Sequence, residues 1–355
     1  MKKLVLIDGH ALVHRAFHAL PQTLASPTGV LTNAVYGFTA VLIKTIKDIR
    51  PDYIVATFDL AGPTFRHEEF ADYKAHREKA PEGLHEQVPR VKEVLAAFGI
   101  PVFEKAGFEA DDVIGSICEK TRKVEDLQTI IATGDLDTLQ LVENDKVIVT
   151  SLKGGINDIA IYNEKKIKER FGIKPSQVVD FKGLVGDTSD NIPGVPGVGE
   201  MKASILIKEF GSIENLYANL DKELKKTEKD KKKKKKVKRG ILTENFIKKL
   251  IEHKDIALFS KKLSTIIRNV PIQFNIEDAN WRERMNRDEI SRVFQGLGFY
   301  SLLKRISEID GTVQKQASFL PPAIVGPEVK ELKTNKDISG LLAKLTKQND
   351  FALDV

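Results

Sequence analysis

An α/β core with a mostly parallel central sheet, followed by a helical region, is the fold this sequence predicts, and three observations carry the prediction. Three apolar runs in the first half each end on an acid: Leu4-Val5-Leu6-Ile7 on Asp8, Tyr53 to Phe58 on Asp59, and Thr129 to Gly134 on Asp135. Helical patterns separate them, at roughly 33–49, 84–98 and 111–123. Beyond about Lys165 the pattern is helical throughout, to about Ile306.

Each apolar run is short, rich in β-branched or aromatic residues and without alternation, as expected of a strand buried on both faces. Strands alternating with helices argue for a parallel sheet, and such sheets gather ligands outside the carboxyl ends of their strands. Asp8, Asp59 and Asp135 are therefore expected at one edge. A fourth strand is predicted over 146–151, followed by a turn at Lys153-Gly154-Gly155 into Ile159-Ala160-Ile161-Tyr162. Lys225 to Arg239 is lysine-rich, unbroken lysine from Lys231 to Lys236, and reads as an exposed insertion. The chain turns irregular from Gly311 to Pro327, a linker, and Phe351-Ala352-Leu353-Asp354 resembles the first strand of another domain, so a fragment of a longer protein is expected.

Composition bounds the function. The 355 residues suit two domains, and a hydrophobic fraction of 41% is ordinary for a globular protein. The single cysteine, Cys118, excludes an internal disulfide and agrees with a reducing, cytoplasmic setting. Met1-Lys2-Lys3 resembles the basic end of a signal peptide, but the apolar run behind it stops at Asp8, too short for a signal or a membrane span. A net charge of +6 permits polyanion binding without proving it.

The acids are unevenly spread. Glu109-Ala110-Asp111-Asp112 opens a helical pattern, Gly134-Asp135-Leu136-Asp137 follows a strand, and Gly186-Asp187-Thr188-Ser189-Asp190-Asn191 lies at a helix end. Any one of these acids is more often a helix cap or turn residue. Taken together, Asp8, Asp59, Glu109, Asp111, Asp112, Asp135, Asp137, Asp187 and Asp190 call for a cation. No histidine or cysteine cluster accompanies them, so Mg²⁺ or Mn²⁺ fits better than zinc. A group of this size can hold two ions about 4 Å apart, the arrangement of phosphoryl transfer at nucleic-acid backbones.

Six motifs in order resemble the 5′ nuclease domain of bacterial DNA polymerase I and, more distantly, the PIN-like flap endonucleases. They are Leu6-Ile7-Asp8-Gly9-His10, Thr64-Phe65-Arg66-His67-Glu68, Tyr73-Lys74-Ala75-His76-Arg77, Glu109 to Asp112, Gly186 to Val195, and Gly298-Phe299-Tyr300-Ser301-Leu302. The resemblance implies a PIN-like nuclease core over 1–170 with an arch at about 65–98, a helical DNA-binding region over 171–306, a linker over 307–328, and the start of a 3′–5′ exonuclease-like domain over 329–355. It implies a first metal held by Asp8, Asp59, Glu109 and Asp111. Asp111 bridges to a second held by Asp135, Asp137 and Asp190, while Asp112 and Asp187 act partly through water. By the same resemblance Lys74 and Arg77 grip the scissile phosphate, and Tyr73 can stack on a base. The expected reaction is phosphodiester hydrolysis near a 5′ end or flap junction. The implied partners are 5′-flap, nicked or gapped DNA, with an RNA primer strand also plausible, and the implied state is a monomer. As a whole protein the resemblance implies a DNA-directed DNA polymerase.

Arg66 and His67 belong to a basic, aromatic stretch that reads as a solvated loop or, from its place after the Asp59 strand end, as DNA-facing. Between two helices, Ile192-Pro193-Gly194-Val195-Pro196-Gly197-Val198-Gly199 offers backbone amides to phosphate, with Lys202 beside them. In the family this is a helix–three-turn–helix, often with a K⁺ on its carbonyls. The chain departs from the family at Leu136 and Pro196, both common lysine positions, and in the length of its lysine run, which either adds DNA affinity or is an inert insertion. A non-catalytic DNA-binding module would show eroded acids, and an RNA-cutting PIN nuclease would lack the glycine-rich segment.

Overall fold

The computed structural model describes residues 1–77, 81, 83–152, 159–232 and 241–309. The turn at 153–155 and the chain from 310 onward, with the expected exonuclease-like start, lie outside the described residues. So do 233–240 of the lysine run.

The first half builds β1 (Lys2–Asp8), α1 (Gly9–Ala19), α2 (Asn33–Ile49), β2 (Tyr53–Thr57), α3 (Phe65–Glu69), α4 (Val88–Ala97), β3 (Val102–Phe103), α5 (Ala110–Thr121), β4 (Leu127–Thr133), β5 (Val147–Leu152) and β6 (Ile159–Tyr162). The sheet has the order β3-β2-β1-β4-β5-β6. All pairs are parallel except β5 with β6, as the predicted turn between them requires. The two-residue β3 was not legible in the sequence, because so short a strand leaves no pattern.

β1 shows why the apolar runs lack alternation. Leu4 and Leu6 face one core with α5, whereas Val5 and Ile7 face a second core with α1, α2 and α4. All four are at most 1% exposed, so both faces of the pleat bury apolar surface, each side chain contributing about 1.5–3 kcal/mol. Since β2 and β4 flank β1 on opposite sides, the chain reverses its winding direction there. Asp8, Asp59 and Asp135 follow the carboxyl ends of these three adjacent strands.

The second half contributes α6 (Glu164–Phe171), α7 (Val178–Val185), α8 (Glu200–Phe210), α9 (Ile213–Lys232), α10 (Glu244–Glu252), α11 (Lys254–Ser264), α12 (Trp281–Arg284), α13 (Arg287–Leu297) and α14 (Tyr300–Ile309). Helix α9 continues into the lysine run. Its last helices return to the first half: Trp281, Phe294 and Phe299 bury among α2 and α4 residues, and the Trp281 indole donates to the Pro51 carbonyl at 3.0 Å. The expected helical region 171–306 thus divides between the two cores. Helix α4 is equally internal, with Val91, Val94 and Leu95 fully buried. Among the described residues of the expected arch at 65–98, Lys74 and Arg77 line the cleft described below.

Candidate active site

A cleft of ≈ 900 Å³ opens at the carboxyl edge of the sheet, lined by Asp8, Asp59, Glu109, Asp111, Asp135, Asp137 and Asp187. Asp190 lines a small adjoining pocket with Asp111, Asp135 and Asp137. Local structure aims each of them. Asp8 caps α1 by accepting the Ala11 N–H at 3.0 Å, and its other oxygen accepts the Thr133 hydroxyl at 2.7 Å. Asp59 accepts the Ala110 N–H at 2.7 Å, tying the β2 exit to the start of α5. Asp135 accepts the Asp137 N–H at 2.9 Å. Glu109, the N-cap of α5, faces Lys74 Nζ at 2.8 Å.

The electrostatics are strained. Burial, with Asp59 and Asp135 close by, pushes Asp8 up to about 7 despite its two hydrogen bonds. Burial and Asp135 push Asp137 up to about 7 against the pull of Lys182. Asp111 stands well above the ordinary carboxyl range, first through burial and then through repulsion from Asp8, Asp135, Asp137 and Asp59. Its Oδ1 is buried with no hydrogen-bond partner. Asp187 behaves oppositely: burial works against it, but Lys182 and Ser189 hold it down to about 2.

Among the described residues, no three histidine, cysteine or acidic side chains stand arranged to hold one ion as they are. Cations of the chain itself engage the carboxylates instead. Lys74 pairs with Glu109, Arg77 with Asp190, and Lys182 with both Asp137 and Asp187. The donor set nonetheless fits a hard divalent cation. Its carboxylates offer only oxygen, several of them repel one another, and one Asp111 oxygen is buried among them without a donor.

Five expectations are corrected. Asp112 is fully buried, and both its oxygens accept Arg66 at 2.7 and 2.8 Å. It also accepts the N–H groups of Glu109 and Ile267. Arg66, 3% exposed, donates besides to the Leu263 and Thr265 carbonyls. The pair therefore ties α3, α5 and the α11 exit together, with Arg66 also 3.5 Å from Glu109 at the edge of the acidic pocket. His67 closes a capping box with Thr64 rather than pointing outward. Tyr73 is 3% exposed and donates to Glu109 and Asp190, leaving no ring face for a base. Gly194 is buried and gives its N–H to Ser260 Oγ at 3.1 Å. At φ +61° a Cβ there would stand 2.4 Å from the Val185–Gly186 backbone, so this glycine serves close packing, not phosphate.

Lys74 and Arg77 line the cleft. Gly197 and Gly199 are exposed, Gly199 caps the 11-residue α8, and Lys202 donates to the Gly197 carbonyl at 2.9 Å. The sequence reading missed Lys182, which no pattern sets apart from the other lysines. It also missed His10, His14 and His18, which line the cleft from α1. Their spacing of four, directly after Asp8, was a legible signal of one helix face.

An α/β sheet with carboxylates converging at its switch point, beside a glycine-rich helical region, defines the class of protein. The comparisons agree. Residues 3–172 match the model of the 5′–3′ exonuclease N-terminal resolvase-like domain, and residues 173–287 that of the 5′–3′ exonuclease C-terminal SAM fold. The chain belongs to the 5′–3′ exonuclease family. It is 40% identical to DNA polymerase I of Bacillus subtilis over 317 residues, covering 89% of this chain and 34% of that one. Against DNA polymerase I of Caldicellulosiruptor bescii it is 37% identical over 339 residues, 95% of this chain and 37% of that one. The chain thus spans about a third of the length of these relatives. Its fold resembles the phage T5 D15 protein co-crystallised with metal ions, with a TM-score of 0.57 and 18% identity over 87% of this chain and all of that one. It also resembles the catalytic core of Rad2 in complex with DNA substrate, with a TM-score of 0.53 and 17% identity over 87% of this chain and 91% of that one. Among the described residues, no helix is long and apolar enough to cross a membrane.

Proposed function

We propose that this chain is a metal-dependent, structure-specific 5′ nuclease that hydrolyses DNA phosphodiesters at 5′ flaps, nicks or gaps, as part of a longer polymerase. The single observation behind it is the buried, unpartnered Asp111 oxygen among acids that come from separate strand and helix ends.

Asp8, Asp59, Glu109 and Asp111 would hold one divalent ion, and Asp111, Asp135, Asp137 and Asp190 a second, with Asp187 alongside. Two such ions supply an activated water and neutralise charge at the phosphate. Lys74 and Arg77, paired with Glu109 and Asp190 here, would exchange those carboxylates for the phosphate oxygens and stabilise their developing charge. The exposed Gly197–Gly199 turn, the start of α8 and Lys202 would hold the duplex through its backbone, which suits recognition of structure over sequence.

The test is a 5′-flap duplex incubated with the chain and Mg²⁺, beside Asp111→Ala and an EDTA control. Cleavage at the junction, lost in both controls, is expected. Binding without cleavage in either Mg²⁺ or Mn²⁺ would leave a DNA-binding module instead.

A further inference from the structure

We propose that Lys182 is a built-in counter-ion of the second metal position: its ammonium bridges Asp137 and Asp187 and must withdraw before a divalent ion binds there. The inference rests on the two-ion reading above.

Lys182 lies in the last turn of α7, with its side chain only 15% exposed. It pairs with Asp137, from the 3₁₀ turn after β4, and with Asp187 at 2.8 Å, from the segment after α7. One ammonium thus spans acids from two elements, both lining the cleft where the second ion is expected. Two features mark it as a stand-in rather than a strut. The first is that its neutralisation is partial. The neighbouring Asp111 oxygen stays buried without a partner, and Asp137 still feels Asp135. A single positive charge leaves work for a doubly charged ion.

The second feature is freedom to leave. Arg66 is locked on Asp112 by a bidentate fork and two backbone carbonyls. Lys182 instead carries a point charge on a flexible four-carbon stem and borders the open cleft. Swinging outward costs it two ion pairs but leaves the α7 backbone in place. Lys182 therefore holds Asp137 and Asp187 together at the expense of affinity for the second ion.

The test titrates the full chain with Mn²⁺, following free ion by electron paramagnetic resonance, for wild type, Lys182→Met and Lys182→Arg, with thermal midpoints in EDTA. Wild type should show a tight and a weak class of site. Lys182→Met should tighten the weak class by roughly tenfold or more, since a competing unit charge is gone, and leave the tight class unchanged. Its metal-free midpoint should fall and recover on Mn²⁺ by more than wild type does. Lys182→Arg keeps the charge and should bind the weak class no tighter than wild type, which checks the idea even if the methionine variant folds poorly. A weak class unchanged or weakened in Lys182→Met overturns the inference and makes Lys182 a strut, as does a tightened weak class in Lys182→Arg. Failure of wild type to bind Mn²⁺ at all overturns the two-ion reading, and this inference with it.

Discussion

Asp111 and Asp112 are neighbours in the first turn of α5, yet the fold treats them in opposite ways. About 100° of helix rotation separates their directions. Asp112 turns into the protein, where Arg66 and two backbone N–H groups saturate it. Asp111 turns toward the cleft, where other acids surround it and one of its oxygens finds no donor. The comparison teaches that an acid's role is set by its partners. A buried carboxylate with a matched guanidinium is finished structure, whereas one without a partner stores repulsion that only a cation relieves.

Two substitutions break this comparison from opposite sides. Asp111→Ala should lower flap cleavage by about 10³-fold, since each ion is asked for several kcal/mol at the transition state. Its thermal midpoint in EDTA should match or exceed wild type, and a large fall in that midpoint would refute the unpartnered reading. Asp112→Ala should instead destabilise the fold by about 3 kcal/mol, read by urea denaturation, because the buried Arg66 loses its bidentate partner and keeps only two carbonyls and Glu109 at 3.5 Å. An unchanged urea midpoint would show the pair to be dispensable.

Metal and pH sharpen the contrast. Saturating Mn²⁺ at about 100 times its Kd should add about 2.7 kcal/mol of stability, measured by thermal shift. In EDTA, Asp8 and Asp137 are pushed up to about 7 from an ordinary 3.8, so the folded state keeps protons the unfolded chain has released. Stability should therefore fall as pH rises from about 4 through 7. Mn²⁺ should flatten that fall, and an identical pH slope with and without the ion would count against shared ligands. The smallest effect belongs to the exposed turn. Lys202→Ala should weaken duplex binding and reduce the salt slope by about one, while leaving stability within about 0.5 kcal/mol. An unchanged slope would move the duplex contact elsewhere.

The sheet was legible because burial on both faces forces a run of apolar residues wherever a central strand passes, and α2 is bounded where its periodicity ends. The hairpin partner β6 and the strand-end acids were legible for the same local reasons. Less visible was the return of α12, α13 and α14 to the first half, because helical periodicity marks a buried face without saying what covers it. The arch suffered likewise: Arg66 and His67 have the composition of a DNA-facing loop, yet one is a buried ion-pair partner and the other a cap. Gly194 carried the glycine signal of phosphate approach but uses it for backbone packing.

By itself the sequence determined which residue types were present at which strand and helix ends, and so a metal-seeking acidic edge on a parallel sheet. Only the tertiary structure decided which acids share the cleft, which one is answered by Arg66, and that Lys182 stands between Asp137 and Asp187. The reason is physical: strand and helix periodicities are local and recur in the chain, whereas the Arg66 that answers Asp112 and the Lys182 that answers Asp137 arrive from more than forty residues away, and nothing in either acid's own neighbourhood records which.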